Sequence, residues 1–169
     1  MNKTTARQGF TLLELLIVLA IMAILTAIAT PGWLEWRRSA EFRTAVREAH
    51  ACYHRARAEA VHRNTSVALR FTAGTGAAGR IEVFVDDGAG GGTEDNYQRE
   101  GDEEMIVDFR LPPAIILAQT NFVGQATAFK PSGLSKRQGS ACFTDGPRTL
   151  NLTLSQAGFV RLESVPSCP

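Results

Sequence analysis

The chain of 169 residues carries almost no excess charge, with 18 Lys and Arg against 17 Asp and Glu. A global pull toward polyanions or toward basic partners is therefore absent, and net charge says little about what the protein meets. No Ser/His/Asp set, Cys/His set or phosphate-cradling Gly motif occurs in a context that supports catalysis, so the sequence reads as that of a non-enzyme. Histidine is scarce, three residues in all. His50 and His54 stand at i,i+4 and could chelate a transition metal, but there is no HExxH acid and no evident third ligand, which leaves two surface histidines and no metal site. Cysteine is equally scarce, at three residues. That number fits an oxidising compartment and leaves one thiol unpaired whichever bridge forms. No internal repeat is visible.

What the chain does have is one long apolar run, Phe10 to Thr30, interrupted by a single charge at Glu14. The run is long enough to span a bilayer core. A carboxylate inside it costs about 2.5 to 3.5 kcal/mol on insertion scales, so Glu14 is read as functional. Lys3 and Arg7 precede the run with no acid beside them. By the positive-inside rule they stay cytoplasmic and the residues after the run lie outside. A cleavable secretory signal would be cut near Ala27-Ile28-Ala29, and a plain single-pass anchor would not be cut at all. Neither accounts for Glu14 or for the Gly9-Phe10 junction, and the length argues against a buried soluble helix.

Gly9-Phe10-Thr11-Leu12-Leu13-Glu14, with a short basic leader before it and Pro31 behind the apolar run, resembles the class III leader of type IV pilins and type II secretion pseudopilins. The resemblance implies cleavage after Gly9 by a prepilin peptidase, N-methylation of Phe10, and a role for Glu14 in filament assembly. It also implies a single-pass protein of the bacterial inner membrane with its C-terminal head in the periplasm, which later enters a pilus or pseudopilus. The partners so implied are the peptidase, other minor and major pilins or pseudopilins, the inner-membrane assembly platform and membrane lipid. After cleavage the α-amine of Phe10 would lie four residues from Glu14 at the positive end of a helix, where a carboxylate is favoured. In a filament Glu14 would pair with the amine of a neighbouring subunit, neutralising two buried charges and fixing the axial register.

Four segments follow: a cleaved leader at 1–9, an apolar helix at 10–32, an amphipathic stalk helix at 33–63 and a β-rich head at 64–169. The length beyond the apolar run, about 140 residues, suits one domain. Without Lys3 and Arg7 the balance becomes 16 basic to 17 acidic residues. From Trp33 to Arg63, Phe42, Ala45, Val46, Ala49, Cys52, Tyr53, Ala56 and Ala60 recur at helical spacing and predict a buried face. Arg55, Glu59 and Arg63 predict a solvated face. Pro31-Gly32 is expected to kink or loosen the helix without ending it. Strands are predicted at Val67 to Phe71, Arg80 to Val85, Met105 to Arg110, Ala126 to Phe129, Thr149 to Leu154 and Gly158 to Leu162, separated by Gly- and Pro-rich turns. The fold class is α+β, type IV pilin-like: a long N-terminal α-helix, membrane-spanning then amphipathic, packed on an antiparallel β-sheet head.

The head adds to the resemblance. The acidic loop after Val83-Phe84-Val85, the run Phe129-Lys130-Pro131-Ser132-Gly133, and Leu150 to Leu154 followed by Gly158-Phe159-Val160-Arg161 look like the GspH/FimT group of minor pilins and pseudopilins. Members of the group are implied to prime assembly or join the filament tip of a type IV pilus or a type II secretion system. Some FimT-like proteins bind DNA for natural transformation through a Gly-Arg-x-Arg element. Here Phe159 stands at the first Arg and only Arg161 carries over. A DNA-binding patch would have to gather Lys130, Lys136, Arg137, Arg148 and Arg161. The acidic loop from Asp86 to Glu103 offers oxygen ligands for calcium, though not at EF-hand spacing. A bridge between Cys142 and Cys168 would tether the C-terminal tail, with Cys52 a small buried hydrophobe; a bridge from Cys52 to either of the others is the alternative.

Overall fold

The computed structural model describes residues 10–74 and 79–168, and the side chains of residues 29–31 fall outside that description. The chain divides into two units, Met1–Glu41 and Phe42–Pro169. One helix, α1, runs from Leu12 to Arg63 through both. It begins because Thr11 caps it: the Glu14 amide donates to Thr11 Oγ1 at 3.2 Å and the Leu15 amide to the Thr11 carbonyl at 3.2 Å. It ends because Asn64 takes the left-handed conformation, φ 52°, which turns the Thr65 amide back onto the Ala60 carbonyl at 3.3 Å. This closes the last turn in the six-to-one pattern of a Schellman cap. Pro31 and Gly32 are helical, so the helix does pass through them.

In the first unit the large apolar residues from Leu12 to Ile28 are all exposed to the surroundings. Thr26 does not break the apolar character, since its hydroxyl donates to the carbonyls of Met22 and Ala23, both at 2.9 Å. A hydroxyl satisfied by its own helix carries little desolvation cost. Trp33 and Trp36 lie one turn apart with ring centres 5.3 Å from each other.

In the second unit eight strands form two four-stranded antiparallel sheets. β1 (Val67–Thr72), β2 (Arg80–Val85), β3 (Met105–Arg110) and β5 (Ala126–Phe129) make the first, in the order β3-β2-β1-β5. β4 (Ile116–Thr120), β6 (Gly139–Thr144), β7 (Thr149–Leu154) and β8 (Val160–Ser164) make the second, in the order β4-β6-β7-β8. β4 and β6 were not among the predicted strands, and β8 begins two residues later than predicted. Long-range pairing of β5 with β1, Val67 opposite Phe129, splits the head into two sheets.

One core joins the helix to both sheets. All eight residues of the predicted helical face are buried in it, together with Val67, Leu69, Phe71, Ile81 and Val83 of the first sheet and Ala141, Phe143, Leu152 and Leu154 of the second. Ala45, Ala49, Ala56 and Ala60 keep the helix face low where it meets the sheets, while Phe42 and Tyr53 fill the space between. Tyr53, Phe71 and Phe122 form a line of rings with centres 5.8 and 5.3 Å apart. Aromatic contacts of this kind contribute about 0.5 to 1.5 kcal/mol each beyond area burial.

The alternate residues of each sheet face away from the helix and are covered separately. Ala68, Phe84 and Ala128 stand side by side in register and are packed by Tyr97 of the β2–β3 connection and Met105 of β3. Phe84 reaches this face at a register shift after Val83. On the second sheet Cys142 is buried between Ala141 and Phe143, and the tail beyond β8 returns to it through a disulfide from Cys168, with a Cα–Cα distance of 5.7 Å. Cys52 is buried and free.

Candidate functional site

Glu14 sits in the first turn of α1, at the third helical position after the Thr11 cap. Thr11-Leu12-Leu13-Glu14 is therefore a capping-box sequence, a local signal that the motif reading passed over. The cap fixes where the helix starts, and hence which turn carries the carboxylate. Helix amides and the positive end of the dipole favour an anion at this end. Around it Leu12, Leu13, Leu15 and Leu16 are exposed by more than half. Among the described residues α1 is the one helix long and apolar enough to cross a membrane, and none of its most apolar stretch is buried inside the chain. The surface around Glu14 is thus apolar and left uncovered by the chain itself. Phe10 precedes the helix and is exposed. Gly9, the residue on the other side of the expected cleavage point, lies outside the described residues.

The acidic connection between β2 and β3 spends its inward-facing carboxylates on its own backbone. Asp86 is fully buried and accepts from the Tyr97 amide at 3.1 Å. Glu103, also buried, accepts from the amides of Gly88 at 3.1 Å and Glu100 at 2.8 Å. Burial pushes the Asp86 carboxyl above its ordinary value, against the lowering effect of the Tyr97 amide. Burial also works to raise Asp95, but the hydrogen bond and charge of Lys136 outweigh it and hold that carboxyl low. The calcium reading of Asp86 to Glu103 is corrected accordingly: one Asp86 oxygen and both Glu103 oxygens are taken by loop amides, Asp86 Oδ1 is buried with no partner, Asp95 pairs with Lys136, and no group of three or more metal-binding side chains converges among the described residues. Outside the loop, Arg63 at the end of α1 meets Glu59 at 2.7 Å and Glu104 at 2.6 Å, the solvated face that the sequence predicted.

The five basic residues of the DNA reading stand on the β5–β6 connection, the β6–β7 turn and β8, and Lys130 and Lys136 both act on Asp95. Lys136 pairs with Asp95. Arg137 lies over the Tyr97 ring, 3.8 Å from its centre, and donates to the Val123 carbonyl at 2.8 Å. Arg148 stands in the β6–β7 turn 3.4 Å from Asp145. Arg161 on β8 meets Glu163 at 2.8 Å. Lys130 is exposed after β5. Four of the five are engaged on three separate elements, where carboxylates or backbone already take up their donors.

His50 and His54 approach to 3.3 Å between their Nε2 atoms on the helix surface. Partial burial, and then the charge of its neighbour His50, lower the His54 pKa. The pair gathers no third metal-binding side chain among the described residues.

Comparison with known proteins agrees with this geometry. Residues 4–30 match the family described as the prokaryotic N-terminal methylation motif, and residues 45–158 match the type II transport protein GspH family. The pilin-like protein PilA1 of Thermus thermophilus is 33% identical over 168 residues, covering 93% of this chain and 99% of that protein. Two crystal forms of the type IV minor pilin FimU of Pseudomonas aeruginosa superpose with TM-scores of 0.53 and 0.56 at 15% identity. They cover 75% and 79% of this chain and 99% of each FimU chain, a likeness of fold.

Proposed function

The chain belongs to the GspH-type family of pilin-like proteins, and from that premise we propose that it is a filament subunit that primes, or joins the tip of, a type IV pilus or a type II secretion pseudopilus. It is a structural protein and not an enzyme. The observation that carries the reading is Glu14, the one charge in the apolar stretch of α1, whose surface is left uncovered by the rest of the chain.

A prepilin peptidase cuts after Gly9, and Phe10 becomes an N-methylated first residue that keeps its positive charge. Before assembly α1 holds the subunit in the inner membrane and the head lies in the periplasm. The assembly platform then transfers the subunit from lipid to a bundle of similar helices. Lipid and helix are equally apolar, so this move is nearly neutral for the Leu and Ile side chains. Glu14 breaks the indifference: it is costly in hydrocarbon, and the cost falls when an ammonium group of a neighbour stands beside it. A pair buried this way selects one axial offset between subunits, since a slip by one turn separates the charges.

Intact mass and N-terminal sequencing of the protein from membranes, with and without active prepilin peptidase, test the reading. A chain beginning at N-methyl-Phe10 is expected in the presence of the enzyme. A chain beginning at Thr30 or at Met1 under both conditions refutes it.

A further inference from the structure

β8 is an edge strand: in the order β4-β6-β7-β8 it has β7 on one side and no strand on the other. Antiparallel partners alternate between pairs that exchange hydrogen bonds and pairs that do not. The Ser155 amide donates to the Phe159 carbonyl at 2.9 Å just before β8, and the Val165 amide donates to the Thr149 carbonyl at 3.2 Å just after it. The register between them is unbroken. Phe159, Arg161, Glu163 and Val165 therefore turn their backbone groups to β7, while Val160, Leu162 and Ser164 turn theirs to the open edge. Those three amides and carbonyls have no hydrogen-bond partner among the described residues. An uncovered edge of this kind can take up an extended segment as a further strand.

α1 runs alongside that edge. Arg57 reaches the Gly158 carbonyl ahead of β8, and Arg43 and Arg47 line a groove of about 410 Å³ with Phe42, Leu162 and Ser164. Arg43, Arg47, His50 and His54 recur at spacings of four, three and four, so they share one face of the helix. No Asp or Glu lines the groove, and Arg148, which also lines it, is already set against Asp145. Arg43 and Arg47 are exposed, and no carboxylate holds either of them among the described residues.

We infer that the open edge of β8, with Arg43 and Arg47 beside it, is a docking site for an extended acidic segment of a different chain, added antiparallel as a fifth strand of the second sheet. In such an addition the residues that pair with Val160, Leu162 and Ser164 carry their side chains on the same face as these three, toward α1. Residues two apart on a strand are roughly 6.7 Å from each other. Arg43 and Arg47 are separated by roughly 6 Å of helix, so carboxylates at alternate positions match the two guanidiniums. Guanidinium forks suit carboxylates better than an ammonium would. This chain has acids two apart at Glu100, Asp102 and Glu104 alone, where Gly101 is left-handed, φ 54°, and Glu103 is buried in the loop. That run is not free to extend, and the occupant is a segment of unlike sequence. An unlike partner agrees with a priming or tip position, but the inference concerns the head alone and goes beyond that reading.

The test uses the full-length chain in dodecyl maltoside and the fluorescein-labelled peptide Thr-Glu-Thr-Glu-Thr-Glu-Thr, read by fluorescence polarisation. Saturable binding with a Kd below about 1 mM is expected. A peptide of the same composition with its Glu residues adjacent should bind about tenfold more weakly, as should the alternating peptide N-methylated at its Glu amides, which would face β8. N-methylation of the two central Thr amides, which would face away, should change binding by less than about twofold. Arg43→Glu with Arg47→Glu should weaken the acidic peptide about tenfold, and the peptide with Lys in place of Glu should then bind the double variant. Circular dichroism and the mass of the oxidised chain check that the variant is folded. No saturable binding, equal binding of the clustered or Glu-methylated peptide, or indifference to the Arg changes overturns the inference. Retention of duplex DNA or of phosphatidylglycerol vesicles through Arg43 and Arg47, with the peptide unbound, marks a general polyanion surface and overturns it too.

Discussion

Arg57 of the helix donates to the carbonyl of Gly158 at 3.2 Å, across 101 positions of sequence, and its guanidinium lies 5.4 Å from the ring centre of Phe159. The β7–β8 turn is thereby fixed to α1 by a backbone contact that only a very close approach permits. Gly158 has φ of +79°, and a Cβ there would run into the Gly133 carbonyl. Gly158→Ala is therefore expected to cost about 1 to 3 kcal/mol from backbone strain and the forced separation of the two turns. Chemical denaturation of the detergent-solubilised chain, followed by circular dichroism, measures it, and a loss below a few tenths of a kcal/mol contradicts the close approach.

Cys52 lies in the interface between α1 and the sheets, where burial, assisted by the charge of Glu48, pushes its thiol up to about 11 from 9.0. The raised value means that the folded state favours the protonated thiol. Its contribution to stability is complete below about pH 9 and is lost as pH rises through about 11. Iodoacetamide at pH 8 should leave the folded protein unmodified and add one adduct after unfolding in urea without reductant, read by intact mass. Rapid alkylation of the folded chain would contradict the burial of this side chain.

Glu14→Leu removes the one charge of the apolar run and should improve membrane partitioning by about 2 kcal/mol or more. Cleavage and insertion are expected to continue, while recovery in sheared filaments falls to background. Immunoblots of membrane and filament fractions report both, and undiminished recovery of the variant in filaments would remove Glu14 from assembly.

The dispersal of Lys130, Lys136, Arg137, Arg148 and Arg161 has its own consequence. A protein that neutralises several phosphates shows steep salt dependence, and four of these five side chains already face a carboxylate or a backbone carbonyl. The full-length chain in detergent should leave duplex DNA unretarded in an electrophoretic mobility assay near 150 mM salt. A shift that Arg161→Ala abolishes would favour the DNA-uptake reading.

Much of this was legible in the sequence because it is local. The helical face from Phe42 to Ala60 is a matter of spacing, and all eight of its residues are buried. β1, β2, β3, β5 and β7 carry enough branched and aromatic residues to stand out. β6 does not: Gly139-Ser140-Ala141-Cys142-Phe143-Thr144 is mostly small, and burial on both faces hides any alternation. β4 is short and follows Pro112-Pro113, which reads as a break. β8 starts late because Gly158 belongs to the turn, where its positive φ is used, and not to the strand. At the functional end the pattern around Gly9 and Glu14 is plain in the sequence, and Thr11 with Glu14 three residues on is a capping signal that overlaps it.

The bond between Cys142 and Cys168 joins an inner strand of the second sheet to the tail that follows its edge strand. β7 must be laid beside β6, and β8 beside β7, before the tail can come back across the outer face to Cys142. The linkage is thus a molecular receipt for finished folding, issued to heads whose second sheet is in order and withheld from those that stop short. A cell that admits only oxidised subunits to its filament would inspect the fold by a single covalent mark.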